Sequence, residues 1–364
     1  MHRRDFLTAS GVAMAAGVNA CGGAGSREVQ AAQPADDQAK PLRQRAMQLH
    51  RENVVWVIHD HRPIAPDIPL MLAGGVTGKI YNLGIDVDIE QGIAASAARR
   101  EGWARQTMAA LEEAERSIQA DPKHVLLALS VEDILRAKRE GKVAILFGVE
   151  GGKLLEGKLE LLKTFYDRGL RELQLCWAVP NQIVEEQDLT AFGRQVVREC
   201  DRLGIIVSLT HIAETAFFQV IEMTRKPPIV CHGIASIPGW EAGDLSDRKL
   251  KALASRDGLL GIHFYRSYLG SQPSVDRVVD QVDHIANLVG IDTVGLGIDF
   301  FPTHGPWKKH QLDQNTTEIT WAIPHIGEVV RVTEALLARN FPEDDVIKVL
   351  GGNFLRVCKS VFGS

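Results

Sequence analysis

Six residues able to hold a metal or carry a proton stand at the ends of apolar runs in this sequence: His59, His61, Glu150, His211, His232 and Asp299. His59 and His61 close the run Val54-Val55-Trp56-Val57-Ile58, which predicts a fully buried strand of a parallel sheet. Side chains alternate faces along a strand, so the two imidazoles leave on one side and Asp60 on the other. Such a pair can grip one metal ion. Glu150 follows Ile145-Leu146-Phe147-Gly148-Val149 and precedes Gly151-Gly152, where backbone can approach closely. His211 ends Val207-Ser208-Leu209-Thr210, His232 ends Pro228-Ile229-Val230-Cys231, and Asp299 ends Val294-Gly295-Leu296-Gly297-Ile298. Singly, such residues are satisfied core histidines or helix caps. Converging on one face, they make a metal centre. Nitrogen and carboxylate ligands without cysteine suit Zn²⁺, with Mn²⁺ or other divalent ions as substitutes. One ion does not need so many ligands. Two ions bridged by Glu150 do, and a hydroxide shared between them would be a nucleophile at neutral pH.

Positioning these residues requires strands whose ends meet. The chain alternates accordingly. Strands are expected at 79–83, 142–149, 172–177, 205–210, 228–231, 259–264 and 293–298 after the opening run, with a short one at 125–129 outside the main sheet. Helices are expected over 90–119, 131–140, 157–168, 213–224, 246–255 and 275–289. In another, Phe192, Val196, Val197, Cys200 and Leu203 share one face, and Gly204 supplies the stop. Strand and helix repeating about eight times, with no polar strand face, predicts a (β/α)8 barrel with its site at the C-terminal strand ends. An open doubly wound sheet is the fallback, but no Gly-rich phosphate loop follows any strand. The remaining strand ends carry Trp177 and Tyr265, with Arg266 directly after. The polar block from Pro302 to Thr320 is a candidate lid over that face.

A net charge of −5 and the absence of a basic cluster with interleaved aromatics argue against nucleic acid or an anionic membrane as partner. The expected partner is a small-molecule substrate. The oligomeric state stays open, a homo-oligomer included. Residues 1–20, with Arg3-Arg4 ahead of a short apolar stretch, read as a twin-arginine export signal. Cys21 follows Val18-Asn19-Ala20, which loosely resembles a lipoprotein cleavage box, so a lipid anchor is the one route to a membrane. A periplasmic or envelope location follows. Residues 21–42 read as a flexible tether and 43–364 as one barrel domain. The other cysteines, Cys176, Cys200, Cys231 and Cys358, show no CxxC pairing and read as buried thiols.

Over nearly all of residues 43–364 the chain resembles the membrane (renal) dipeptidases, binuclear zinc peptidases with amidohydrolase-like barrels. The resemblance rests on Gly148-Val149-Glu150-Gly151-Gly152, the run Gly193 to Gly204 followed by Leu209-Thr210-His211, Gly297-Ile298-Asp299-Phe300, and Leu350-Gly351-Gly352-Asn353-Phe354-Leu355-Arg356-Val357. It implies one Zn²⁺ on the first-strand pair and Glu150, a second on Glu150, His211 and His232, and Asp299 as the proton carrier. Three positions depart from the family. Its His-x-Asp reads His59-Asp60-His61 here, or, in a competing register, His61-Arg62-Pro63. Trp177 stands where a histidine polarises the substrate carbonyl. Gly243-Asp244-Leu245-Ser246-Asp247 replaces the stretch whose arginine holds the substrate carboxylate. Arg266, beside a tyrosine that matches one near the family's substrate pocket, is the expected substitute cation, with Arg62 the other candidate. The leading expectation is thus an exported metal-dependent hydrolase cleaving an amide bond. A lactone or N-acyl amino acid hydrolase is the alternative, and a catalytically degenerate envelope binding protein the third.

Overall fold

The apolar runs pair edge to edge and close on themselves. Strands β1 (Trp56–Asp60), β2 (Gly78–Ile85), β3 (Val143–Glu150), β4 (Leu170–Gln174), β5 (Ile206–Ser208), β6 (Ile229–Gly233), β7 (Leu259–Ile262) and β8 (Val294–Leu296) each pair in parallel with the next, and β8 pairs back with β1. This computed structural model is therefore the expected (β/α)8 barrel. It describes residues 35–177, 181–240, 242–303, 307 and 319–363. The export signal, Cys21 and most of the candidate lid lie outside the described residues, as does most of the 21–42 tether. The helix Ala35–Glu52 overlaps the end of that tether and is fixed to the barrel domain by ion pairs from Arg43 to Glu328 and Glu334 and from Arg45 to Glu343.

Three expectations shift. The helix read over 90–119 is two, Gly92–Ala98 and Trp103–Ala120, because Gly102 sits at φ +84° and turns the chain between them. The strand read over 172–177 starts and ends earlier, at Leu170–Gln174. Val125–Leu127, expected outside the main sheet, belongs to it: it pairs in parallel with the first residues of β3, while β4 pairs with the last ones, so it adds a strand beside the closed ring. Among the described residues, no helix is long and apolar enough to cross a membrane.

Apolar residues pack on both sides of the strands. Outward-facing Val55, Val57, Val143, Ile145 and Val207 pack under the helices, and inward-facing Trp56, Ile58, Ile80, Leu146 and Leu259 fill the barrel. The helix Asn353–Phe362 joins this interior core, with Phe354 stacked on Trp56 at 4.9 Å between ring centroids. Apolar filling at the N-terminal end leaves the C-terminal end as the place where polar side chains enter the interior.

Strict alternation would send the residue after Ile58 outward again. Instead β1 carries one extra residue against β2 between Val57 and Asp60, a bulge that turns His59 inward. The same device recurs in β6. Its register against β7 gains one residue between Val230 and Gly233, so Cys231 and His232 both face the interior side.

Candidate metal centre

Glu150 stands at the middle of the strand ends, fully buried, with each carboxylate oxygen facing a different histidine pair. Its Oε2 lies 2.9 Å from His61 Nε2 and 3.6 Å from His59 Nε2. Its Oε1 lies 3.1 Å from His211 Nε2 and 3.6 Å from His232 Nε2. Within each pair the Nε2 atoms are 3.1 Å and 3.0 Å apart. Ligands at bonds of about 2.1 Å, as imidazole makes to Zn²⁺, span about 3.0–3.4 Å at angles from square to tetrahedral. The two sets, His59–His61–Glu150 and Glu150–His211–His232, therefore have the donor types and spacing of two adjacent cation positions sharing one carboxylate.

The electrostatics point the same way. Burial alone would raise Glu150, but the surrounding imidazoles of His59, His211 and His61 hold it well below the usual carboxylate range. Burial, followed by the charge on His59, pushes His232 well below the ordinary histidine value, leaving the neutral form that a ligand needs. Burial would lower His59 as well, yet Cys231 and Glu150 raise it well above that value. Glu150 and Asp299, with oxygens 3.6 Å and 3.4 Å from His59 Nε2, surround this nitrogen with negative charge, which a bound cation would offset.

Asp299 follows β8 and bridges both halves of the cluster. Its Oδ1 lies 3.4 Å from His59 Nε2 and 3.6 Å from His61 Nε2, and its Oδ2 lies 3.1 Å from His263 Nε2. Burial works against its charge, but His232, His263 and His59 hold it well below the usual range. Asp299 and His211 both sit in left-handed backbone, at φ +56° and +62°. That conformation is uncommon away from glycine, asparagine and aspartate, and it aims both side chains inward from positions just past the strand ends.

Several residues hold this arrangement without belonging to it. Asp60 points away from His59 and His61, as alternation required, into a buried group in which Lys79 Nζ lies 2.7 Å from both Asp60 Oδ1 and Asp67 Oδ2. Lys79 also donates to the Arg62 carbonyl at 2.8 Å, tying down the turn after His61. On the other side, buried Asp86 accepts from the backbone N–H groups of Gly152 and Lys153 and from the Asn181 carboxamide, and its own N–H donates to the Glu150 carbonyl. Beneath the cluster, His59 Nδ1 faces the Asn82 carboxamide at 2.9 Å and Cys231 Sγ at 3.2 Å.

The cleft above these residues holds about 330 Å³ and is walled by Trp177, Tyr265, Tyr268, Phe301 and Trp307. Trp177 meets His211 edge-on, with ring centroids 6.2 Å apart. Arg266 heads the helix Arg266–Leu269 and does not line this cleft, and Arg62 lies against buried Asp67 at 3.4 Å. His263, which the sequence reading passed over inside an apolar run, does line it. The signal was available: His263 stands one residue past β7, much as His61 stands past β1. Asp86, Asn82 and Trp307 were also passed over.

The membrane dipeptidase (peptidase family M19) model matches residues 42–362. The chain belongs to the membrane dipeptidase family. Dipeptidase tcpJ of Claviceps purpurea is 28% identical over 270 residues, which are 71% of this chain and 60% of that protein; the chain thus spans less than two thirds of that relative's length. Among solved structures, an amidohydrolase from Pseudomonas aeruginosa superposes with a TM-score of 0.77 at 25% identity, covering 88% of this chain and 99% of that one. A metallopeptidase from Rhodobacter sphaeroides, liganded with a phosphinate mimic of L-Ala-D-Ala, superposes at 0.71 and 19% identity, covering 85% and 100%, and supports the fold alone.

Proposed function

We propose that the protein is a metal-dependent hydrolase that cleaves an amide bond of a small, dipeptide-like substrate. One observation carries this: the two oxygens of Glu150 each face a separate histidine pair, at 2.9 Å and 3.1 Å. His59, His61 and Glu150 would hold one divalent ion, Zn²⁺ by donor chemistry, and Glu150, His211 and His232 a second. Bound ions supply Lewis acidity and make water nucleophilic at neutral pH. The chain's own task is proton transfer. Asp299 takes the proton of the attacking water at Oδ1 and returns it to the leaving nitrogen, the work of a general base and then a general acid. The histidines around Asp299 keep it ionised, the state in which it can accept a proton.

The aromatic cleft favours a second reading. Trp177, Tyr265, Tyr268, Phe301 and Trp307 form a surface suited to a ring or acyl chain, as in a lactone or an N-acyl amino acid. Export through the paired arginines, and a lipid on Cys21, complete the proposal and rest on the sequence alone. Elemental analysis of the purified protein is expected to find about two divalent ions per chain. A panel of L,L- and L,D-dipeptides beside lactones and acyl amides separates the two readings. Protein that stays inactive on the whole panel after Zn²⁺ loading would overturn both.

A further inference from the structure

We propose that His263 is a positioning residue for Asp299, fixing which of its carboxylate oxygens handles the proton. The inference rests on the role assigned to Asp299 above and concerns a residue given no task there.

The geometry settles the histidine's tautomer. The backbone N–H of Tyr265 donates to His263 Nδ1 at 3.1 Å, so that nitrogen is the acceptor and carries no proton. The ring hydrogen is therefore on Nε2, which lies 3.1 Å from Asp299 Oδ2 and donates to it. Tyr268 stacks on the ring at 4.0 Å between centroids and 27° between planes, and His232 meets it edge-on at 5.1 Å. The ring is 1% exposed and cannot swing away. A bond from a fixed donor to a buried carboxylate is charge-assisted and directional. It occupies Oδ2 and leaves Oδ1 toward His59 and His61, at 3.4 Å and 3.6 Å. The proton consequently enters and leaves at Oδ1.

The test uses three variants of the full-length, metal-loaded enzyme and one measurement that does not depend on turnover. His263→Ala is expected to lower kcat about 10- to 100-fold with KM changed less than about 3-fold and metal content unchanged. His263→Gln places an amide N–H near the Nε2 position and His263→Asn near the Nδ1 position. Gln is expected to recover most of the lost rate and Asn little, which keeps the comparison decisive if the alanine variant does not fold. In an Asp299→Asn background, His263→Ala should cost little more, since the two act as one unit. Ring ¹⁵N resonances of histidine-labelled protein, with His263 assigned by its loss in the Gln variant, should report the Nε2–H tautomer. A proton on Nδ1, equal rates for Gln and Asn, or wild-type kcat in the alanine variant would overturn the inference. Because the resonance is read without substrate, an Nε2–H tautomer in a protein that hydrolyses nothing on the panel would sink the hydrolase reading and leave the His263–Asp299 contact standing.

Discussion

At the scale of single residues, the barrel domain buries charges that only their neighbours make tolerable. Lys79 is wholly buried, and burial alone would lower its pKa, yet Asp60 and Asp67 raise it above the ordinary lysine value. Removing that ammonium strands two buried carboxylates. Lys79→Met is accordingly expected to cost about 3–5 kcal/mol of stability, measured by urea unfolding, and to loosen the turn that follows His61. A loss under about 1 kcal/mol would mean that the carboxylates are solvated some other way. Glu172 makes the complementary case. Burial pushes its pKa from 4.5 up to about 8, so the folded chain holds a proton there that the unfolded chain releases. A carboxyl raised on folding contributes stability at low pH and loses it as pH rises through that window, here from about 4.5 to 8. Glu172→Gln should gain stability relative to the wild type between pH 5 and pH 8, by up to several kcal/mol. A difference that stays flat with pH would count against the raised value.

At the scale of elements, the decisive pieces are the first turns after the strands. Gly151 sits at φ +129°, and a β-carbon there would meet Asp86 Cγ at 2.1 Å. The turn can therefore hold Glu150 against Asp86 only because the residue is glycine. Gly151→Ala is expected to destabilise by about 2–4 kcal/mol and to weaken metal retention, since Asp86 also holds the N–H groups of Gly152 and Lys153. Thermal melting and elemental analysis of the same preparation check both halves. A variant that melts lower but keeps its ions would separate the turn's structural role from its role at Glu150.

At the scale of the whole molecule, five of the eight strands converge on the cluster, with His59 and His61 from β1 and its end, Glu150 from β3, His211 after β5, His232 from β6 and Asp299 after β8. Ions bound among them would tie distant parts of the barrel together. Removing them with a chelator is expected to lower the melting temperature, because a ligand at a thousandfold excess over its Kd stabilises by about 4 kcal/mol. Re-addition of Zn²⁺ should restore it in proportion to occupancy, and a melting temperature indifferent to chelation would argue against structural coupling of the centre.

The sequence by itself determined the repeat of strand and helix, and with it a parallel sheet buried on both faces; that the sheet closes was decided by β8 pairing back with β1. Apolar runs without a polar face can be satisfied only by burial on both sides, and parallel strands need long crossovers. It also placed His59, His61, Glu150, His211, His232 and Asp299 at strand ends, since each ends or follows such a run. It did not determine that these side chains face one another. Alternation alone carries Ile58 and His59 to opposite sides, and Val230, Cys231 and His232 likewise. Only pairing with the neighbouring strands, which inserts one extra residue in β1 and in β6, turns His59 and His232 inward. A bulge is a relation between two strands, so it leaves no mark in the period of either one. His263 was visible as a strand-end residue, but its partner was not. Within its own run it is one more residue among apolar neighbours, and its meaning comes from Asp299, 36 positions later in the chain and 3.1 Å away across the barrel mouth.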